Sequence, residues 1–196
     1  MEKPLFLLAL LAFLFTSCQK EEFTSEVVDG ILTDPRDGKQ YPVVELEGRL
    51  WMAADLLYET DGSRVERSYT DAPLQYYTRK YTWHSARRAC PPGWRLPTSE
   101  EWTNLLLRYG GYENEQGRET GDDLNAAFDA LVWDGESGLE ILRGFRYWSG
   151  TSAGDQNAVS IWFFSSHKIV ILSHSPKYAD KSSCRCVQGA PSNGND

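Results

Sequence analysis

At 196 residues with a formal net charge of −8, the chain has room for one domain of ordinary size with a real core. Its 20 Lys and Arg stand against 28 Asp and Glu with no basic block, which argues against nucleic acid and against charge-driven binding to anionic lipid, since both need a basic surface. Seven Trp and ten Tyr are many for this length; most would pack a core, but aromatic side chains also build sugar-binding and peptide-binding surfaces.

In chain order, residues 5–15 are an unbroken apolar run closed by Thr16 and Ser17, directly before Cys18. This pattern predicts a signal peptide over residues 1–17, too short for the roughly 20 apolar residues that span a hydrocarbon core. No later stretch is longer, so the mature chain is expected to have no transmembrane segment. A cysteine after small residues at the end of such a run resembles a bacterial lipobox, which implies cleavage before Cys18 and acylation of its thiol. Acyl chains contribute about 0.8 kcal/mol per buried CH₂, so a multiply acylated cysteine anchors its protein firmly. The charged tract Gln19, Lys20, Glu21 and Glu22 is similar to the one that carries lipoproteins of Bacteroidetes-type bacteria to the outside of the outer membrane. The expected organisation is a lipidated tether over 18–29, a domain over 30–189 and a polar tail over 190–196, with the polar stretch up to about Val28 and the tail both disordered.

Within the domain, residues 33–38 are rich in Asp, Pro and Gly and read as a turn, while 41–47 and 49–53 read as strands of a hairpin around Gly48. Residues 58–70 are polar and hold an Asp-Gly pair, so they read as a loop. Thr82 caps a short helix with Trp83, Ala86, Ala89 and Cys90 on one face, and Pro91-Pro92-Gly93 stops it. Thr98 starts a second helix and Glu101 completes a capping box; Trp102, Leu105, Leu106 and Tyr109 form its buried stripe, and Gly110 ends it. A third helix over 123–131 would bury Leu124, Ala127, Phe128 and Leu131. Residues 145–149, 158–164, 168–173 and 183–188 have the β-branched and aromatic content of strands, the second and third pairing through 165–167. The class is α+β, two or three short helices packed on antiparallel hairpins, with the helices early and most strands late.

Few residues suggest chemistry. An exported chain keeps disulfides, and a loop of about 95 residues closed by one is worth roughly 4 to 5 kcal/mol in the chain-entropy picture. Cys184 and Cys186, two apart on a predicted strand, face the same side, so only one can pair with Cys90. No spacing ties His84, His167 or His174 to a thiol, as a cysteine nucleophile would require. No His-x-x-x-His or Cys-x-x-Cys pair exists, and Cys184-Arg185-Cys186 is too tight for a zinc clip, so no metal or cofactor is expected. Glu100 and Glu101 fit the macrodipole and capping box, and Asp122 and Asp123 the start of the third helix.

The run Tyr81-Thr-Trp-His-Ser-Ala-Arg-Arg-Ala-Cys-Pro-Pro-Gly-Trp-Arg-Leu-Pro-Thr-Ser-Glu-Glu-Trp102 closely resembles the Fibrobacter succinogenes major paralogous (FISUMP) domain. Three further pieces resemble the same family: Asp37-Gly38-Lys39-Gln40-Tyr41 with Leu50-Trp51-Met52-Ala53, then Tyr147-Trp148-Ser149-Gly150-Thr151, then Arg185-Cys186-Val187. The likeness spans about residues 32–188. That family is similar to C-type-lectin-like folds, and the resemblance implies a bridge from Cys90 to Cys186, with Cys184 left as a small buried thiol. It also implies that Trp51, Trp83, Trp94, Trp102, Trp148 and Trp162 mostly build the core. By the same analogy a ligand surface would sit at Asp155, Gln156 and Asn157, in the loop after the Tyr-Trp-Ser motif. The lectin motifs that carry sugar-bound calcium, Glu-Pro-Asn or Gln-Pro-Asp with Trp-Asn-Asp, do not occur. The resemblance implies an exported, lipid-anchored binding or adhesion module for glycan or protein, without catalysis. Two other readings stand beside it: an extracytoplasmic enzyme related to sulfatase-activating proteins, whose fold is related, and a structural component of a surface assembly.

Overall fold

A computed structural model describes residues 24–67, 77–179 and 181–189. Cys18 and the predicted leader lie outside them. Glu26–Val28 (β1), part of the expected tether, is a strand that pairs antiparallel with Ile31–Thr33 (β2). Asp29 and Gly30 between them both have positive φ, 50° and 76°, the backbone sense that matches a two-residue hairpin turn to strand twist. Glu47 and Gly48, at 50° and 69°, do the same between Gln40–Leu46 (β3) and Arg49–Met52 (β4), the hairpin expected from the sequence.

Arg64–Arg67 (β5) pairs with Tyr77–Lys80 (β6) as a separate ribbon, which corrects the loop expected over 58–70: three of the four β5 residues are charged, and it is the partner strand that makes it one. Then follow Trp83–Ala86 (α1), Trp94–Arg95 (β7) and Ser99–Arg108 (α2). Gly111–Asn114 (β8) and Glu119–Gly121 (β9) form a hairpin not foreseen in the sequence, before Leu124–Leu131 (α3). Arg146–Ala153 (β10), Asn157–Phe164 (β11), Ile169–Pro176 (β12) and Val187–Gln188 (β13) complete the chain.

The strands form a six-stranded sheet in the order β1-β2-β3-β4-β13-β7 and a five-stranded sheet in the order β10-β11-β12-β8-β9. All pairings are antiparallel except β12 with β8. The result is mixed α+β, mostly antiparallel, with three short helices among the described residues; seven strands precede α2, so strands are not concentrated late.

The segment before β13 departs most from expectation. Over 183–186 the chain is extended but makes no continuous ladder, because it threads between elements and bonds to each in turn. Ser183 N donates to Arg146 O, and the carbonyls of Cys184 and Cys186 accept from Leu56 N and Met52 N. This places Cys186 beside Cys90, where the two sulfurs lie 2.12 Å apart; α1 stops at Ala86, so Ala89 and Cys90 stand in the turn after it and not on the helix expected from the sequence. Cys184 is fully buried and free.

The caps read from the sequence are present. Thr98 Oγ1 accepts from Glu101 N at 3.1 Å and Glu101 Oε2 from Thr98 N at 2.8 Å. Arg95 clamps the same carboxylate with two 2.7 Å bonds. Asp123 caps α3 through Ala126 N at 3.0 Å. Two buried clusters make the core. One surrounds the disulfide with Trp83, Trp94, Trp148 and Tyr81; the other packs Trp102, Leu105, Leu106 and Phe128 of the helices on Tyr147, Ile161 and Phe163 of the five-stranded sheet. Indole N–H groups find carbonyls, Trp83 Nε1 on Ser149 O and Trp148 Nε1 on Tyr81 O, each at 2.8 Å, so these rings lock α1 to β10.

A fully buried ion pair ties the strands together. Arg185 Nε lies 2.8 Å from Asp55 Oδ1, and its other nitrogens donate to the carbonyls of Met52, Leu139 and Glu140. Tyr147 Oη donates to the same carboxylate at 3.0 Å.

Candidate functional site

β11 is apolar on both faces; one is buried along the strand, and the other is buried at Ala158 and Ser160 but not at its far end. Ile161 and Phe163 point inward, whereas Trp162 and Phe164, two apart and therefore on the opposite face, are half-buried. Trp162 thus departs from the core role implied for it; Trp51, Trp83, Trp94, Trp102 and Trp148 are buried. In register, Arg146 of β10 lies across from Trp162, and Ile171 of β12 on its other side. Opposed residues on neighbouring strands share a face, so these side chains form one patch.

The patch has an aromatic row. The Trp162 and Phe164 rings are 4.4 Å apart, and His167 stacks on Phe164 at 5.0 Å with a 17° tilt. The Arg146 guanidinium sits 4.7 Å over Trp162 and also reaches Ser175 Oγ at 3.4 Å. Beside these lies a knot of hydroxyls, with Ser160 Oγ 2.9 Å from Ser175 Oγ and 3.1 Å from Ser173 Oγ.

Arg146 joins this row to a cleft of about 410 Å³, lined by Arg64, Arg146, Ala179, Lys181 and Ser182. Arg64 is exposed on β5, 3.8 Å from Glu66. Lys181 Nζ donates to Gly62 O at 2.6 Å. Ser182 Oγ is buried and has no hydrogen-bond partner among the described residues. Among the described residues, Arg64, Arg146 and Lys181 thus meet at this cleft from separate parts of the chain. A smaller pocket of about 180 Å³, lined by Leu46, Glu47, Arg49, Trp51, Glu101 and Asn104, is already neutralised within itself, since Arg49 Nε lies 2.8 Å from Glu101 Oε1.

Asp155 and Gln156 lie elsewhere, exposed in the β10–β11 turn, and Asn157 opens β11 opposite Pro176; none of them lines the cleft. That turn is held from below by buried Lys177. Its Nζ donates to Ser152 Oγ at 2.8 Å, Gly154 O at 2.7 Å and Asp155 O at 3.3 Å, and it stands 4.6 Å from the Trp83 ring. Lys177 thus ties the turn to the first helix.

The titratable groups divide between scaffold and surface. Burial pushes the Cys184 thiol well above the usual range, with the Asp55 charge adding to it, so the nucleophilic thiolate is suppressed. Among the described residues no histidine hydrogen-bonds to it: His84 packs against Trp83 and Tyr178, His167 ends the aromatic row, and His174 pairs with Glu115 at 3.0 Å. Burial also lowers Lys80, to about 8, with its ammonium 4.0 Å from the Phe145 ring. Glu101 is depressed despite burial, because Arg95 and the Thr98 N–H bond its charged form.

Sequence reasoning missed Arg64, Arg146 and Lys181, which stand singly in the chain. The available signal was β11 itself: an apolar strand with large aromatic residues on both faces, in a sheet that helices cover on one side. No family model, curated protein or solved structure matches this chain.

Proposed function

We propose that this chain is an exported lipoprotein, acylated at Cys18 and displayed at the outer-membrane surface, whose domain is a FISUMP-type, C-type-lectin-like binding module for glycan or protein. The bridge from Cys90, in the turn after the first helix, to Cys186, just before the last strand, supports the lectin-like reading of the fold. The observation that carries the functional reading is the half-exposed row Arg146, Trp162, Phe164 and His167 beside an open cleft, at the end of a sheet face where the aromatic rings are only half-buried. Flat aromatic faces fixed in a sheet are contact surfaces that lose little conformational freedom on binding. The buried, protonated Cys184 supports a binding role over thiol chemistry.

The test is binding of the full chain, purified in detergent, to arrayed glycans and to surface proteins, with Trp162→Ala in parallel. A ligand is expected whose affinity falls about tenfold in the variant, as for an aromatic anchor in an interface. Full retention of binding by Trp162→Ala would remove this face from the reading. Absence of any glycan or protein ligand, together with copurification of a fixed partner, would favour a structural component instead.

A further inference from the structure

We propose that the buried pair of Arg185 and Asp55 is a register lock, which decides which of two neighbouring cysteines closes the bridge to Cys90. The inference concerns how the covalent frame of the domain is chosen and is independent of the ligand.

The chain presents two sulfurs in one orientation. Cys184, Arg185 and Cys186 follow one another in an extended segment, so both cysteines point to one side and Arg185 to the other. The packing agrees: Cys184 and Cys186 lie in the cluster around the bridge, whereas Arg185 faces Tyr147, which belongs with Val187 to the second cluster. A one-residue slip of this segment turns every side chain to the wrong face, and burial forbids it. A slip of two residues, about 7 Å, keeps each side chain on its face and brings Cys184 to the place of Cys186. The backbone bonds to Arg146, Trp148, Leu56 and Met52 do not oppose that slip, because every residue other than proline carries the same groups.

Side-chain identity therefore makes the choice. In the slipped register Ser183 stands where Arg185 is, too short to reach the Asp55 carboxylate or the carbonyls of Met52, Leu139 and Glu140, which Arg185 bonds at 3.2, 2.7 and 2.6 Å. Asp55, 7% exposed, is left as a buried anion with the Tyr147 hydroxyl as donor. Arg185 in turn takes the place of Val187, which is fully buried and stands across the ladder from Arg95. Like charges directly opposite repel, and the carboxylate at that place, Glu101, is already shared by Arg95 and Arg49. A buried ion pair adds little net stability, but separating its partners is costly, so its strongest effect is on the register that the chain adopts.

The two forms interconvert by thiol–disulfide exchange without net oxidation. The Cys184 thiolate attacks Cys90 Sγ, the bond from Cys90 to Cys186 breaks, and Cys186 leaves as a thiolate that takes up the proton Cys184 gave.

The test compares Cys184→Ser and Cys186→Ser forms of the full chain in detergent, each equilibrated with a glutathione redox buffer, blocked by alkylation and read by peptide mass mapping. The bridge to Cys186 is expected to be favoured at least about a hundredfold over the bridge to Cys184, the lower end of what separating a buried pair costs. Adding Asp55→Asn to both is expected to narrow that preference at least about tenfold, with cooperative thermal unfolding of the bridged protein showing that the fold persists. A merely structural role for the pair lowers Tm and leaves the preference where it was. If the Asp55→Asn background does not fold, Arg185→Lys takes its place; it keeps the charge but loses the planar fork that reaches the carbonyls, and the same narrowing is expected. A parent preference below about a hundredfold, or a narrowing smaller than about tenfold in a folded background, overturns the lock.

Discussion

Asp55→Asn isolates the cost of the buried ion pair without changing the volume of the core. Arg185 is 1% exposed, and its guanidinium is held by one carboxylate oxygen and three carbonyls. The substitution keeps an acceptor for Tyr147 but leaves the Arg185 charge buried with dipoles alone. Removing one partner of such a pair costs about 3 to 5 kcal/mol, a large part of the roughly 5 to 15 kcal/mol that holds a domain folded. At about 2 to 4 °C per kcal/mol for a domain of this size, Tm falls by roughly 6 to 20 °C. The assay is thermal and urea unfolding with the disulfide intact in every variant, so that the unfolded state carries the same crosslink. Arg185→Met is expected to cost at least as much, because it strands the carboxylate and the carbonyls of Leu139 and Glu140 together. The double variant should cost less than the sum of the two, by several kcal/mol, since each single change exposes the other partner's charge. A loss below about 1 kcal/mol for Asp55→Asn, the behaviour of a solvent-exposed pair, would refute the reasoning.

Lys80 provides a pH test. Its folded pKa of about 8 lies below the ordinary 10.5, so the unfolded chain binds the extra proton between those values and this residue's contribution to stability rises with pH across that window. Lys80→Met should therefore be the more stable protein at pH 7, with its advantage shrinking by about 2 kcal/mol at pH 10; an advantage independent of pH would contradict the burial argument. Cys184 acts with the opposite sign, because its raised pKa means that the unfolded thiol ionises first and stability is lost as pH rises past about 9. In the native protein Cys184 should resist alkylation at pH 8 and react only after denaturation, and peptide mapping without reductant should link Cys90 to Cys186; rapid native labelling of Cys184, or its presence in the bridge, would show a different arrangement. Thr98→Ala removes one side of the capping box and should cost about 1 kcal/mol in urea unfolding. An unchanged midpoint would mean that Arg95 and Glu101 hold the start of α2 without the cap.

Local signals were legible in the sequence wherever neighbours in the chain supply the partner. The Thr98 and Glu101 box, the Asp123 cap, the Gly48 turn and the β11–β12 hairpin each close within a few residues, so composition and spacing suffice to place them. The pairing of Cys90 with Cys186 was different: spacing left Cys184 equally eligible, and only the path of the chain past Leu56 and Met52 decides which sulfur meets the helix end. The polar strands β5, β8 and β9 exist because a neighbour satisfies their backbone, which no propensity records. The candidate site was the least legible part, because Arg64, Arg146 and Lys181 are ordinary solitary cations until the fold brings three segments to one cleft. Sequence alone determined the leader expectation, the class of the domain and most of its caps, all set by local geometry and burial pattern. Tertiary structure decided which cysteine pairs, which side chains of β11 stay half-exposed and which separate segments meet at the cleft, since each depends on contacts between residues far apart in the chain.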